Sequence, residues 1–193
     1  MKHFLFSACA GLLLSCGAAV AQQSDAAEPG RPEIKPVGDW FVRCFPLQSP
    51  SPCDMFQELD NPATKQRVLS ISLAYVPGID RHAIQIRVPL EIAIQKGVTI
   101  KTDSFTSPLL KYRRCDRNGC YVETPVDNNF VEAIGRSGGE KGKVHIAADT
   151  GKVYALDFYL KGFSAAHDDM VTKVRAKAKA IATPDEAAAA PSP

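Results

Sequence analysis

Apolar and polar residues alternate with a period of two along much of the chain, the spacing that sends successive side chains to opposite faces of a strand. Residues 67–76 are the clearest case: Leu69, Ile71, Leu73 and Tyr75 share one face, and Val68, Ser70, Ser72 and Ala74 the other. Order begins near Gly38-Asp39-Trp40, where Trp40, Val42 and Cys44 alternate with Phe41 and Arg43, and residues 53–60 (CDMFQELD) bring the chain back. After a turn at Pro77-Gly78 the pattern resumes with Ile84, Ile86 and Val88; Pro89 interrupts it, residues 90–95 continue extended, and residues 98–102 form another short strand. Val144 and Ile146 on one arm, and Val153, Ala155, Phe158 and Tyr159 on the other, supply core to a hairpin across Asp149-Thr150-Gly151. A short helix is expected over residues 127–135, with Asp127 as N-cap, Phe130, Val131 and Ile134 inward and Gly135 as its stop. One long helix follows, with Ser164 as N-cap and Asp168 and Asp169 in its positive first turns. Phe163, Ala166, Met170, Val174, Ala178 and Ile181 step along one of its faces, with Lys177 at the edge. Short strands separated by turn signals, with helices only late, predict an all-β sandwich carrying a short helix and a C-terminal helix.

Residues 109–126, LLKYRRCDRNGCYVETPV, contain the strongest local signal. Asn118-Gly119 favours a tight hairpin because both residues tolerate positive φ. Cys115 and Cys120 stand at the ends of the turn, and directly opposed strand residues lie within disulfide reach. The tip carries Lys111, Arg113, Arg114 and Arg117 against the single acid Asp116, in a chain of formal net charge +2. These cations are the candidate partner-binding residues: arginine suits paired recognition of carboxylates or phosphates, and a pinned tip loses little entropy on docking. The competing reading is a charged edge that only deters strand-to-strand pairing. The faces of this hairpin do not sort. With Cys115 opposite Cys120, Leu110, Tyr112 and Tyr121 share a face with Arg114 and Glu123, while Val122 falls with Lys111 and Arg113. A bulge, or a projecting solvent-wrapped tip, reconciles the pattern.

The N-terminus sets the compartment. Met1-Lys2-His3 precedes an apolar run over residues 4–14, and Ala19-Val20-Ala21 makes a small-x-small cleavage site. Residues 1–21 therefore read as a secretory signal peptide, too short to span a bilayer as a mature helix. Lipoprotein processing at Cys16 is the rival, although Leu14 sits poorly in such a site. Signal removal leaves Cys44, Cys53, Cys115 and Cys120, an even set that in an exported chain reads as two disulfides. Three connectivities are open; Cys44–Cys53 with Cys115–Cys120 closes the shortest loops. The C-x8-C and C-x4-C spacings are not those of structural zinc sites, and no C-x-x-C is present, so no metal is assigned. Residues 22–37 are polar and proline-rich and read as a disordered leader, residues 38–182 as one domain, and residues 183–193 as a disordered Ala/Pro tail. No stretch after the signal is apolar enough to cross a membrane, and the near-neutral charge gives no pull toward nucleic acid or anionic lipid.

Nothing in the chain signals catalysis. His82, His145 and His167 are scattered, and H-E-x-x-H, G-x-S-x-G and phosphate-cradling glycine loops are missing. No catalytic residue and no cofactor is assigned.

The order of Gly38-Asp39-Trp40, Cys44, Cys53 with Gln57, Pro89 and Gly97, Tyr112 with Cys115, Gly119-Cys120, and Gly162-Phe163 before a helix resembles the invasion-associated locus B family of alphaproteobacterial envelope proteins. The resemblance spans residues 38–170 and implies an exported immunoglobulin-like β-sandwich with no catalytic residues to carry over. In an intracellular pathogen the family is associated with entry into red cells. One departure is Pro89-Leu90-Glu91, where the family often follows its proline with glycine. Two roles are expected. The first is a periplasmic or secreted protein–protein interaction module that meets an envelope or membrane protein through the basic hairpin tip. The second is an auxiliary periplasmic subunit that stabilises a membrane complex by docking through the long helix.

Overall fold

A computed structural model describes residues 30–49 and 51–182. The expected signal peptide, Cys16, the start of the leader and the Ala/Pro tail lie outside the described residues, as does the side chain of Ile181. In chain order the elements are β1 (Glu33–Val37), β2 (Trp40–Cys44), β3 (Cys53–Asp60), β4 (Arg67–Val76), β5 (Arg81–Val88), β6 (Thr99–Lys101), β7 (Tyr112–Asp116), β8 (Gly119–Val126), α1 (Asn128–Gly135), β9 (Lys141–Ala147), β10 (Val153–Tyr159) and α2 (Phe163–Ala182). They form a seven-stranded antiparallel sheet, β1-β2-β3-β4-β5-β8-β7, and a three-stranded one, β10-β9-β6.

The period-two pattern becomes the core because the registers align like with like. Val42 opposes Met55, Met55 opposes Leu73, and Leu73 opposes Ile84, making one apolar row across β2 to β5. Ile100, Val144, Ile146 and Phe158 of the small sheet, Phe130, Val131 and Ile134 of α1, and Phe163, Ala166, Met170 and Val174 of α2 are buried in the same cluster. All cover one face of the large sheet, and the result is an immunoglobulin-like β-sandwich with two helices.

The sheets are tied at one seam, where several of the family-like residues converge. Trp40 Nε1 donates to the Tyr159 carbonyl at 2.9 Å. Gln57, 3% exposed, accepts from the Tyr159 N–H at 2.8 Å and donates to the Asp39 carbonyl at 2.8 Å. A buried amide is tolerated because both its ends are satisfied. Trp40 meets Phe163 edge-on, with ring centroids 5.2 Å apart. Gly38 and Gly162 adopt φ of +63° and +84°, and their backbones touch, so a Cβ on either would strike the other's loop.

Both disulfides join directly opposed residues: Cys44–Cys53 with Cα atoms 4.1 Å apart, and Cys115–Cys120 at 4.0 Å.

The structure corrects several expectations. Residues 33–37, read as leader, form β1 and pair along the whole of β2. Backbone pairing satisfies an edge without requiring apolar side chains, so polarity gave no sign of it. Ion pairs hold β1 under α2, Lys35 to Asp169 at 3.0 Å and Lys173 to Glu33 at 3.4 Å; because α2 starts at Phe163 its first turn holds no acid, and Asp169 serves Lys35 and Lys173 rather than the helix start. Residues 90–95 do not continue extended: Glu91 takes φ 65°, Ile92 makes a lone bridge to Ala148, and Ile94–Lys96 is a 3-10 turn. Pro89 has no N–H for a ladder, and the chain leaves the large sheet there for the small one. The long helix starts at Phe163, ahead of Ser164, with the Gly162 carbonyl accepting from Ala166 N–H at 2.8 Å. Gly135 lies inside the last turn of α1 rather than stopping it, and its missing Cβ makes room for Phe163 and Ser164. Val153 is 63% and Tyr159 38% exposed, and Ala155 is exposed too. Strand alternation puts these three on the face opposite Phe158, so they cannot share its core.

A pinned basic hairpin and a buried histidine pair

The turn of β7–β8 forms where Asn118-Gly119 predicts it, but of the two only Gly119 takes positive φ. Asp116 Oδ1 accepts from the Asn118 N–H at 2.8 Å, and Gly119 takes φ +142°. That N–H, and then Arg114, hold the Asp116 carboxyl below the usual range. Cys115 opposes Cys120 and Arg114 opposes Tyr121, but Tyr112 opposes Val122. Arg113 is thus one extra residue, a bulge, and the mixed faces are resolved. Below the bulge Tyr112 turns toward the core; burial pushes its phenol up to about 12, and its hydroxyl finds no partner among the described residues.

The bulge also divides the predicted cations. Arg114 lies 3.9 Å from the Tyr121 ring centroid and donates to Glu123 Oε1 at 3.0 Å and Asp116 Oδ2 at 2.7 Å. Its charge is spent within the hairpin. Arg113 is 71% exposed and reaches Glu123 only at 3.5 Å. Lys111 and Arg117 are exposed and enter no ion pair among the described residues. β7 is the last strand of the large sheet, so Arg113 stands on an open edge, with Lys111 just before the strand and Arg117 in the turn after it.

Sequence reasoning kept the histidines apart. His145 does lie by itself on β9, but His82 and His167, separated by 85 positions, bring their Nε2 atoms to 2.9 Å. A signal was present: His82 has the same parity as Ile84, Ile86 and Val88, which marks it as inward, and His167 follows Ala166 on the apolar stripe. Their neighbourhood is polar and linked. Tyr75 donates to Asp80 Oδ1 at 2.7 Å, Asn128 Nδ2 to Asp80 Oδ2 at 3.2 Å, and Arg175 to the Tyr75 hydroxyl at 3.1 Å.

Two antiparallel sheets, a helical cover on one face and short disulfide staples define a stapled β-sandwich, and the disulfides fit an extracytoplasmic protein, since such bonds persist in oxidising compartments. Among the described residues no helix is long and apolar enough to cross a membrane. Residues 40–171 match the sequence model of the family described as Invasion associated locus B (IalB) protein, and the chain belongs to that family. It is 31% identical over 130 residues to invasion protein B homologs of Brucella abortus, strain 2308 and biovar 1 strain 9-941, covering 67% of this chain and 74% of each relative. The crystal structure of invasion associated protein B from Bartonella henselae has the same fold, with a TM-score of 0.62 at 23% identity, over 74% of this chain and 99% of that one. None of these names denotes an enzyme.

Proposed function

We propose that the protein is an exported, non-catalytic interaction module of the bacterial envelope, periplasmic or secreted, that docks an acidic envelope or membrane protein through the β7–β8 hairpin. The observation that carries this reading is the exposed trio Lys111, Arg113 and Arg117, just before, on and just after the outer strand β7, with Cys115–Cys120 closing the turn that holds Arg117. A tip held in one shape loses little entropy on binding, and solvent-facing cations act over about 10 Å at moderate salt. The signal-like residues 1–21 and the disulfides support export, and the names of the Brucella relatives connect such proteins with invasion. The test is charge reversal of Lys111, Arg113 and Arg117 to glutamate, leaving Arg114, which braces the hairpin. Crosslinked-membrane pull-downs should lose the partner with this variant, and wild-type recovery should fall as salt rises. Undiminished recovery would sink the reading and favour the second one, an auxiliary periplasmic subunit docking through the outer face of α2.

A further inference from the structure

Four strands end the two sheets, and three of them are guarded against further pairing. β1 carries Glu33, Lys35 and Pro36, charges and a missing N–H that deter an incoming strand. β7 has the bulge at Arg113 and its cations. β6 is covered by its own chain: Ser107 N–H donates to the Ile100 carbonyl at 2.8 Å, and the Ser107 hydroxyl accepts from Ile100 N–H at 2.9 Å. β10 has none of these devices. Its register against β9 is unbroken over seven residues, and Asp157 is its single charge, held by Lys143 at 2.8 Å and Lys141 at 3.3 Å. A flat, largely apolar edge of this kind recruits another strand.

The backbone of β10 fixes where that strand sits. Ala148 N–H donates to the Lys152 carbonyl and Leu160 N–H to the Glu140 carbonyl, so the even-numbered residues between them bond to β9 and the odd-numbered ones turn N–H and C=O outward. Tyr159 bears out the parity, because its outward groups are taken by Gln57 and Trp40 of the large sheet. That leaves Val153, Ala155 and Asp157, whose backbone groups meet no other partner among the described residues. We propose that two copies of this chain pair through β10, antiparallel about a twofold axis at Ala155. In this register Ala155 faces Ala155 of the second copy and Val153 faces Asp157, so each free residue exchanges both its backbone bonds. A shifted register puts Val153 opposite Tyr159, or Asp157 opposite Gly151, whose N–H groups are already engaged. The free stretch is thus bounded at both ends and symmetric about Ala155, which suits an identical strand running the other way. No like charges meet at the axis, since Asp157 faces Val153 and keeps its two lysines. On the other face Tyr154, 41% exposed, meets Leu156 of the second copy, an aromatic–aliphatic cross-strand pair. These two side chains border a groove of about 510 Å³ that Val68, Pro89, Leu90 and Ile92 make largely apolar. The contact is separate from the β7–β8 tip, which ends the other sheet.

Sedimentation of the purified, disulfide-bonded chain over a concentration series, with variants at Ala155, tests the pairing. Wild type should approach twice the monomer mass as concentration rises. Ala155→Pro removes an outward N–H and no bond to β9, so the fold should survive. Its dimer should weaken at least about tenfold, because both central bonds are lost. Ala155→Lys and Ala155→Glu should each associate poorly alone, and an equimolar mixture should recover the dimer, since opposite charges then meet at the axis. If Ala155→Pro fails to fold, this exchange carries the test, because Ala155 is exposed. A wild type that stays monomeric to millimolar concentration overturns the proposal. So does a dimer that Ala155→Pro leaves intact, or a mixture no more associated than its components. A monomer that loses a different bound protein on Ala155→Pro would assign the edge to that protein's strand and equally overturn self-pairing.

Discussion

Two hairpins of this molecule carry the same covalent device in opposite settings. In β2–β3, Cys44 and Cys53 are 2% and 1% exposed and lie in the core cluster beside Val42 and Met55. In β7–β8, Cys120 is buried but Cys115 is exposed, and the bond closes the four-residue turn at the sheet's open edge, beyond the cations of β7. Both loops are short, with sequence separations of 9 and 5, so chain entropy alone assigns them similar stabilisation, about 2–3 kcal/mol each. What differs is the surroundings. The first disulfide is also core volume, whereas the second mainly constrains shape. The contrast teaches that a staple's role is read from what it packs against rather than from its loop length.

The comparison can be broken in several ways, the largest effect first. Replacing Cys44 and Cys53 together by alanine should cost about 3–5 kcal/mol, because lost loop constraint adds to an underpacked core, and urea denaturation would measure it. Acid offers a test of burial without mutation. The His82 folded-state pKa of about 4 lies below the unfolded value near 6.5, so the unfolded chain binds more protons between them. Stability contributed by neutral His82 should be complete above pH 6.5 and lost as pH falls through about 4, on the order of 3 kcal/mol in all. Urea titrations from about pH 8 to about pH 3 check this, and His82→Gln, if folded, should flatten the slope.

Replacing Cys115 and Cys120 by alanine should cost less than the first pair, about 2 kcal/mol. Hydrogen exchange should then show lost protection in β7 and the turn, with β4 and β5 unchanged. Smallest of all is the reversal of Lys111, Arg113 and Arg117, which should leave the denaturation midpoint almost unmoved because exposed charges contribute little. Arg114→Glu should behave differently, since it sets a carboxylate against Glu123 and Asp116 and removes the stack on Tyr121. A midpoint equally unmoved by Arg114→Glu would show that Arg114 is no brace.

By itself the sequence determined what local periodicity and turn chemistry encode. The alternation of residues 67–76 and 82–88 marks their buried faces, because side chains in a strand alternate whatever lies beside it. Asn118-Gly119 specifies the turn that opposes Cys115 and Cys120, and Asp127 caps α1 as its side chain and position require, accepting from Phe130 N–H at 2.8 Å. The conflict between the two faces of β7 was also visible, but not its resolution. The bulge at Arg113 depends on the register of β8, which β5 sets from its other side. Tertiary structure alone decided the rest, because the partners are distant in the chain. β1 exists because β2 has an open edge, and backbone pairing leaves no mark on side-chain polarity. Gln57 is buried because the Tyr159 backbone, 102 positions away, satisfies it. Arg114 turned from a candidate contact into a brace only once Glu123 lay across the hairpin. His82 and His167 face each other because α2 folds back over β5, a contact that no window on the sequence contains.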